Sequence, residues 1–290
     1  VLTSIELTED NLRADNIVEF RQRLIGDDAW GRKTTLLNDE VLRFARDARR
    51  VTLRVTNDEM AERLRRKTFR NPEWSEDGKK LSYDRPTNLK ASTAAALRLE
   101  MPHLGYELHL DLQRYESNYR SNRMSYLGTT YFIPDTTSNK RLQRRYARNR
   151  REAYYGSGLH FIRSLLSNTL KENGFKVFEV VEEPSSQQAA VTKPIDLRDY
   201  LENQGNGVYH LTGLQERSIA VLYYGKRKVP SRTPSLSSSP SILQSRMLLI
   251  GPYSLLYDNG AQGDTNLLFS GDIGLRALAW SLPLDYWPEE

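Results

Sequence analysis

The stretch from Lys140 to Phe175, KRLQRRYARNRREAYYGSGLHFIRSLLSNTLKENGF, constrains the fold more than any other part of the chain. It holds the longest helical signal and lies between two β-rich halves. Its second half places Leu159, Ile162, Leu165, Leu166 and Leu170 at helical spacing, so one face there must be buried, with the flanking sheets as partners. Gly156 predicts a break into two helices, with Ser157 capping the second and Gly174 ending it.

The flanks read as strands. Val1 to Leu7 alternates apolar and polar residues. Asp15 or Asn16 can cap a short helix that runs to Ile25 and stops at Gly26. Val41–Phe44 and Arg50–Val55 suggest a hairpin pair. The segment 57–95 has a helical turn or two around Met60 and Leu64, but Pro72, Gly78 and Pro86 interrupt it, so it reads as an elaborated loop. The strand pattern returns with LRLEM, with YELHLDLQRYE, where Leu108, Leu110 and Leu112 alternate against His109, Asp111 and Gln113, and with Arg123–Ile133. Beyond the helical stretch, strands are expected at Phe175–Val181, Val208–Leu211, Ser218–Tyr224, Met247–Ile250 and Ser254–Tyr257. A polar loop is expected at 183–195, and a Ser/Pro-rich loop within 229–245. Leu275, Leu278 and Trp280 are expected to pack the tail.

Composition narrows the function classes. The 290 residues carry a net charge of +5, which permits an anionic partner without demanding one. There is no cysteine, which excludes disulfides and thiolate metal sites. No apolar run approaches the ~20 residues that span a bilayer. The 16 tyrosines suit sheet faces and contact surfaces.

Within the helical stretch, Lys140, Arg141, Arg144, Arg145, Arg148, Arg150 and Arg151 form a basic run with no acid among them. On a helix these charges spread around most of the circumference and leave Leu142, Tyr146 and Ala147 for packing. One reading is an anion surface for nucleic acid, phospholipid headgroups or an acidic protein, with Tyr154 and Tyr155 clamping phosphate or stacking on bases. The other is a solvated helix whose arginines pair with acids on adjacent sheets.

Other chemistry is weaker. His103 and Glu107 do not form a helical HExxH pair. His160 opens a helix, where its charged form would meet the positive end of the dipole, so a neutral packed ring is expected. The histidine spacing signals no zinc site. Gly156–Gly158 lacks the G-x-S-x-G pattern of a nucleophile elbow and reads as a helix break and cap. The pairs Asp196/Asp199 and Glu182/Glu183 lie in or near loops and define no acid–base site. No catalytic residue, metal site or cofactor is assigned.

Several blocks together resemble a known family. They are FRQRLIGDDAWGRKTTLLNDEVLRF (20–44), HLGYELHLDLQRYE (103–116), YLGTTYF (126–132), RRYARNRREAYYGSGLHFIRSLLSNTLKENGFKVFEV (144–180) and LPLDYWPE (282–289). In this order they are similar to the carboxypeptidase-like regulatory domain-containing proteins of Bacteroidota. The departures are an insertion-like segment at 57–90 and the Ser/Pro stretch at 230–241. The resemblance implies a transthyretin-like sandwich upstream, with VLTSIEL as the strand just after it. It also implies an exported location (periplasmic, outer-membrane-associated or extracellular) and a binding or scaffolding role. It transfers no catalytic residue.

The expected fold is α+β: antiparallel β-sheets with a central helical pair packed against them. The expected parts are an N-terminal mainly β region (1–135), the helical pair (136–175) and a C-terminal mainly β region (176–290), together forming one compact unit. The expected function is a non-enzymatic envelope protein that binds other envelope proteins or itself. The alternatives are an anion binder acting through the arginine-rich helix, for polysaccharide, lipid headgroups or nucleic acid, and a hydrolase or peptidase suggested by the family label alone.

Overall fold

The computed structural model describes residues 4–5, 10–181, 191–225 and 242–288. The architecture is mostly antiparallel β-sheet with short helices. In chain order the elements begin with β1 (Ser4–Ile5), α1 (Asp10–Phe20), β2 (Thr35–Leu36), β3 (Leu42–Arg54), α2 (Asp58–Arg65), β4 (Arg70–Trp74) and β5 (Lys80–Thr93). They continue with β6 (Leu97–Met101), β7 (Tyr106–Asn118), β8 (Arg123–Pro134), α3 (Lys140–Tyr154), α4 (Gly158–Leu166) and β9 (Phe175–Val181). The last are β10 (Val191–Pro194), β11 (Leu201–Gly205), β12 (Val208–Thr212), β13 (Ser218–Tyr223), β14 (Leu243–Leu249), β15 (Tyr253–Tyr257) and β16 (Leu267–Gly271).

Two compact units are assembled from interleaved segments. The first takes Val1–Arg23, Asn38–Leu97 and Leu110–Thr129, and the second takes Leu24–Leu37, Arg98–His109 and Thr130–Glu290. Strands β6, β7 and β8 contribute residues to both.

The first unit is built on the long antiparallel pair β3–β5, which runs from Leu42↔Thr93 to Arg54↔Lys80. The expected hairpin of Val41–Phe44 with Arg50–Val55 is therefore one continuous strand. Its register shifts at Asp47/Ala48, where Ala48 faces Pro86. Proline has no N–H for the ladder, and a bulge lets the strand pass it. The expected loop over 57–95 is likewise ordered structure. Asn57 accepts a hydrogen bond from the Met60 N–H at 2.8 Å and caps α2. Leu64 then packs with Val55 and Leu81. Phe20 of α1 meets Phe44 and Tyr115 edge-on, with ring centroids 5.8 and 4.8 Å away. Asn16 is not a cap. It is buried inside α1 and accepts from Arg46 Nε at 2.6 Å.

In the second unit, β6 and β7 join through a tight turn at Met101–Tyr106, and β2 pairs with β6. A five-stranded sheet has the order β10-β9-β13-β14-β16, and a three-stranded sheet the order β11-β12-β15. The period of two is visible in the cores: Val177, Ile219 and Val221 join one cluster, while Phe178, Ala220 and Leu222 join another. Helix α4 adds Phe161, Ile162 and Leu165 to the first cluster. Six consecutive residues of α4, His160 to Leu165, are buried, so the helix is enclosed on all sides rather than striped.

Ser157 caps α4 as expected, accepting from the His160 N–H at 3.1 Å. Gly156 breaks the helical run at φ +73°, where a Cβ would lie 2.7 Å from the Tyr223 ring. The helix ends earlier than expected, at Leu166, and Gly174 instead leads into β9. Leu166 and Leu170 are only partly buried. Part of the expected loop 183–195 is β10. The strand β16 had no expected counterpart, and Leu275 is 75% exposed rather than packed. Residues 182–190 and 226–241, with the polar and Ser/Pro loop expectations they carry, lie outside the described residues.

Candidate anion-binding surface

The basic run divides into two faces once α3 is in place. Tyr146, Asn149, Ala153 and Tyr154 are buried. Asn149 donates to the His103 carbonyl at 2.7 Å. Arg150 is turned the same way, with Nε on the Leu104 carbonyl at 2.8 Å, a terminal nitrogen on the Gly105 carbonyl at 3.0 Å, and its guanidinium 3.9 Å from the Tyr106 ring centre. Gly105 has φ +65°, and a Cβ there would lie 2.4 Å from the Tyr146 ring. Only glycine admits both the turn and the close approach of the helix.

The opposite face carries Lys140, Arg144, Arg148 and Arg151, all exposed. Their offsets of four, four and three residues place them in one row, roughly 16 Å long at about 1.5 Å rise per residue. Arg141 and Arg145 flank the row and are also exposed. Arg145 reaches the Pro102 carbonyl at 3.4 Å. Among the described residues none of these cations forms an ion pair, whereas Arg98–Glu107, Arg198–Asp196 and Arg217–Glu179 in the same unit do. The charges are thus concentrated on one face rather than spread around the circumference, because Arg150 and the buried residues occupy the other.

Tyr154 cannot serve as an open stacking platform. It is buried among His160, Tyr286 and Trp287, with centroid distances of 4.9, 6.0 and 6.4 Å. Tyr155 is half-buried and lines a pocket of about 550 Å³ with Asp28, Arg151, Glu152, Asp272, Arg276, Trp280, Leu243 and Leu275. Arg276 donates to the Ala153 and Tyr155 carbonyls at 2.7 and 2.9 Å, satisfying the C-terminal end of α3. Asp28 accepts from Trp280 Nε1 at 2.6 Å and from the backbone N–H groups of Trp30 and Gly31. Arg276, Asp28, Asp272 and Leu243 carry no linear signal in the sequence, since they come from segments far apart in the chain.

The remaining candidates are structural. His160 accepts the Gly156 N–H on Nδ1 at 3.1 Å, which requires a neutral ring. Burial, with Arg276 and Arg163 nearby, holds its pKa down to about 4. His103 is buried against Trp30 with Nε2 2.8 Å from the Ala279 carbonyl, and burial lowers its pKa. His109 Nε2 sits 2.8 Å from Glu107, whose carboxylate is held low by Arg98 and then by His109. Asp196 caps the turn at Leu197–Tyr200 and pairs with Arg198 at 2.8 Å, while Glu182 and Glu183 lie outside the described residues. Among the described residues, no three His, Asp or Glu side chains are grouped to hold a metal, and no helix is long and apolar enough to cross a membrane.

No family model matches the chain, and no curated protein or solved structure matches it.

Proposed function

We propose that this chain is a non-enzymatic binding protein whose working surface is the exposed row Lys140, Arg144, Arg148 and Arg151, and that this row takes a linear polyanion. In this reading α3 and α4 are the central helical pair. Helix α4 is the buried anchor, and α3 displays the charges. The carrying observation is the sorting of α3 into a face held by Tyr146, Asn149 and Arg150 and an opposite face of cations without carboxylate partners among the described residues. Exposed surface charges ordinarily interleave in sign, and a one-signed row raises the local concentration of anions. The resemblance to exported Bacteroidota proteins supports an envelope location for this role.

The test is binding of a polyanion at several salt concentrations. Affinity should fall linearly on a log–log plot, with a slope reflecting about three to four neutralised charges. The double variant Arg144→Glu, Arg148→Glu should abolish binding and leave the fold intact, because neither side chain is buried. Undiminished binding by that variant would remove the proposal.

A second reading, self-association or capture of a partner strand, is favoured by β8. From Met124 to Pro134 it carries no charge, and Tyr131 is 67% exposed. Among the described strands β8 pairs with β7 alone, which makes it an edge, and natural edge strands usually carry charges that block pairing. Light scattering of the isolated chain distinguishes this reading: a monomer at all concentrations speaks against self-pairing.

A further inference from the structure

The pocket at the C-terminal end of α3 shares Arg151 with the cationic row, so row and pocket form one continuous site within the second unit. We infer that this pocket recognises a sugar ring, and that the polyanion is an acidic glycan rather than a nucleic acid or polyphosphate. The inference rests on the binding role proposed for the row.

The pocket chemistry argues against a simple anion sink. Three carboxylates, Asp28, Glu152 and Asp272, line it beside two arginines. Two of the five charged groups are already held by the protein, though neither is saturated. Asp28 accepts three protein N–H groups, and both terminal nitrogens of Arg276 hold carbonyls. Asp272 gives one oxygen to the Gln244 N–H at 2.5 Å. The groups with the most capacity left for a ligand are the Arg151 guanidinium, the Glu152 carboxylate and the second oxygen of Asp272, a donor set beside two acceptors, with the remaining N–H groups of Arg276 next to them.

Acceptor carboxylates bind hydroxyl hydrogens and repel any anionic group, so a sugar ring enters by its hydroxyl edge with its acidic group turned toward Arg151 and the row, whereas polyphosphate has no hydroxyl edge to offer. Tyr155, Trp280, Leu243 and Leu275 supply apolar wall against which the C–H face of a ring can lie. Trp280 is rigid, because Trp30 stacks on it at 3.8 Å and Asp28 holds its indole N–H. The volume of about 550 Å³ lies in the range of small-ligand pockets. Hydroxyl recognition in the pocket, next to a row of cations without carboxylate partners among the described residues, matches a chain of sugars that carry carboxylates or sulfates.

Calorimetry on the full chain decides the matter with three probes of matched charge at one salt concentration: an oligogalacturonate, inorganic polyphosphate and single-stranded DNA. The oligogalacturonate should bind at least about ten-fold tighter than the other two, the worth of one good charge-assisted hydrogen bond. Glu152→Ala should weaken the oligogalacturonate about ten-fold while slightly tightening polyphosphate, because a repelling charge is removed. If Glu152→Ala tightens both probes alike, or the wild-type chain binds all three equally, the sugar inference falls while the cationic row stands. Tighter binding of DNA overturns it in favour of a nucleic acid. If no probe binds, the row and the pocket fall together.

Discussion

The two units treat buried positive charge differently. In the first unit the half-buried Arg46 and the exposed Lys90 meet carboxylates, while Arg13 donates to the Leu42 and Asp39 carbonyls. Arg46 reaches Glu19 at 3.0 Å, and Lys90 reaches Asp47 at 2.6 Å. Asp47 is held below the usual carboxylate range, chiefly by that lysine. In the second unit Arg150, Arg163 and Arg276 meet backbone carbonyls and aromatic rings instead. Arg163 is the fullest case. It is 4% exposed, donates to the carbonyls of Asn259, Leu284 and Tyr286 at 2.9, 2.6 and 2.7 Å, and lies 4.1 Å from the Trp287 ring centre. A carboxylate partner cancels an arginine's charge; a carbonyl leaves it. The Arg46–Glu19 and Lys90–Asp47 contacts are therefore neutral pairs, whereas Arg150, Arg163 and Arg276 keep their positive charge.

The sharpest way to break this comparison is Arg163→Met. It keeps much of the volume but leaves three part-buried carbonyls without their donor, and unfolding stability should fall by about 2–4 kcal/mol. Urea denaturation measures it. A loss under about 1 kcal/mol would mean that the carbonyl clamps are decoration. Within α4, Leu165→Ala should cost about 2–5 kcal/mol, while Leu166→Ala, at a half-buried position, should cost less. Equal costs would show that the helix is not enclosed in the way described.

The clamps also explain which parts of the sequence were legible. The blocks quoted for the family resemblance hold residues that contact one another: Asn149 and Arg150 bond to His103, Leu104 and Gly105, Arg163 bonds to Leu284 and Tyr286, and the Trp30 ring lies against His103. Strands with clean alternation, such as Leu108, Leu110 and Leu112 in β7, could be read directly, because one buried face fixes the period. The β3–β5 pair could not. Its partner lies across α2 and β4, and Pro86 in β5 looked like a breaker until the bulge absorbed it. The basic run was legible as charge but not as a face, since the inward turn of Arg150 depends on a β-hairpin more than forty residues away. The pocket was illegible altogether, because its walls come from four separate stretches of chain.

Acid should weaken the second unit through His160. Its native pKa of about 4 lies below the unfolded value of about 6.5, so the unfolded state binds the proton first. The associated stability is fully present above pH ~6.5 and is lost as pH falls toward 4, by about 3 kcal/mol in total. His160→Gln should flatten this slope in a pH series of denaturation curves. An unchanged slope would assign the acid sensitivity elsewhere.

The smallest expected effect tests the other side of the comparison. Arg50 in the first unit meets Glu73 at 2.6 Å and Asp84 at 3.3 Å, and its geometry rivals that of Arg163. Yet the Arg50 side chain is 41% exposed and that of Glu73 is 76% exposed. Water solvates both charges after the bond is broken, and ordering two long side chains opposes the gain. Arg50→Ala should therefore cost under about 1 kcal/mol, and less again in high salt. If it cost as much as Arg163→Met, bond count rather than burial would govern how these arginines stabilise the protein, and the contrast between carboxylate-paired and carbonyl-clamped units would lose its physical basis.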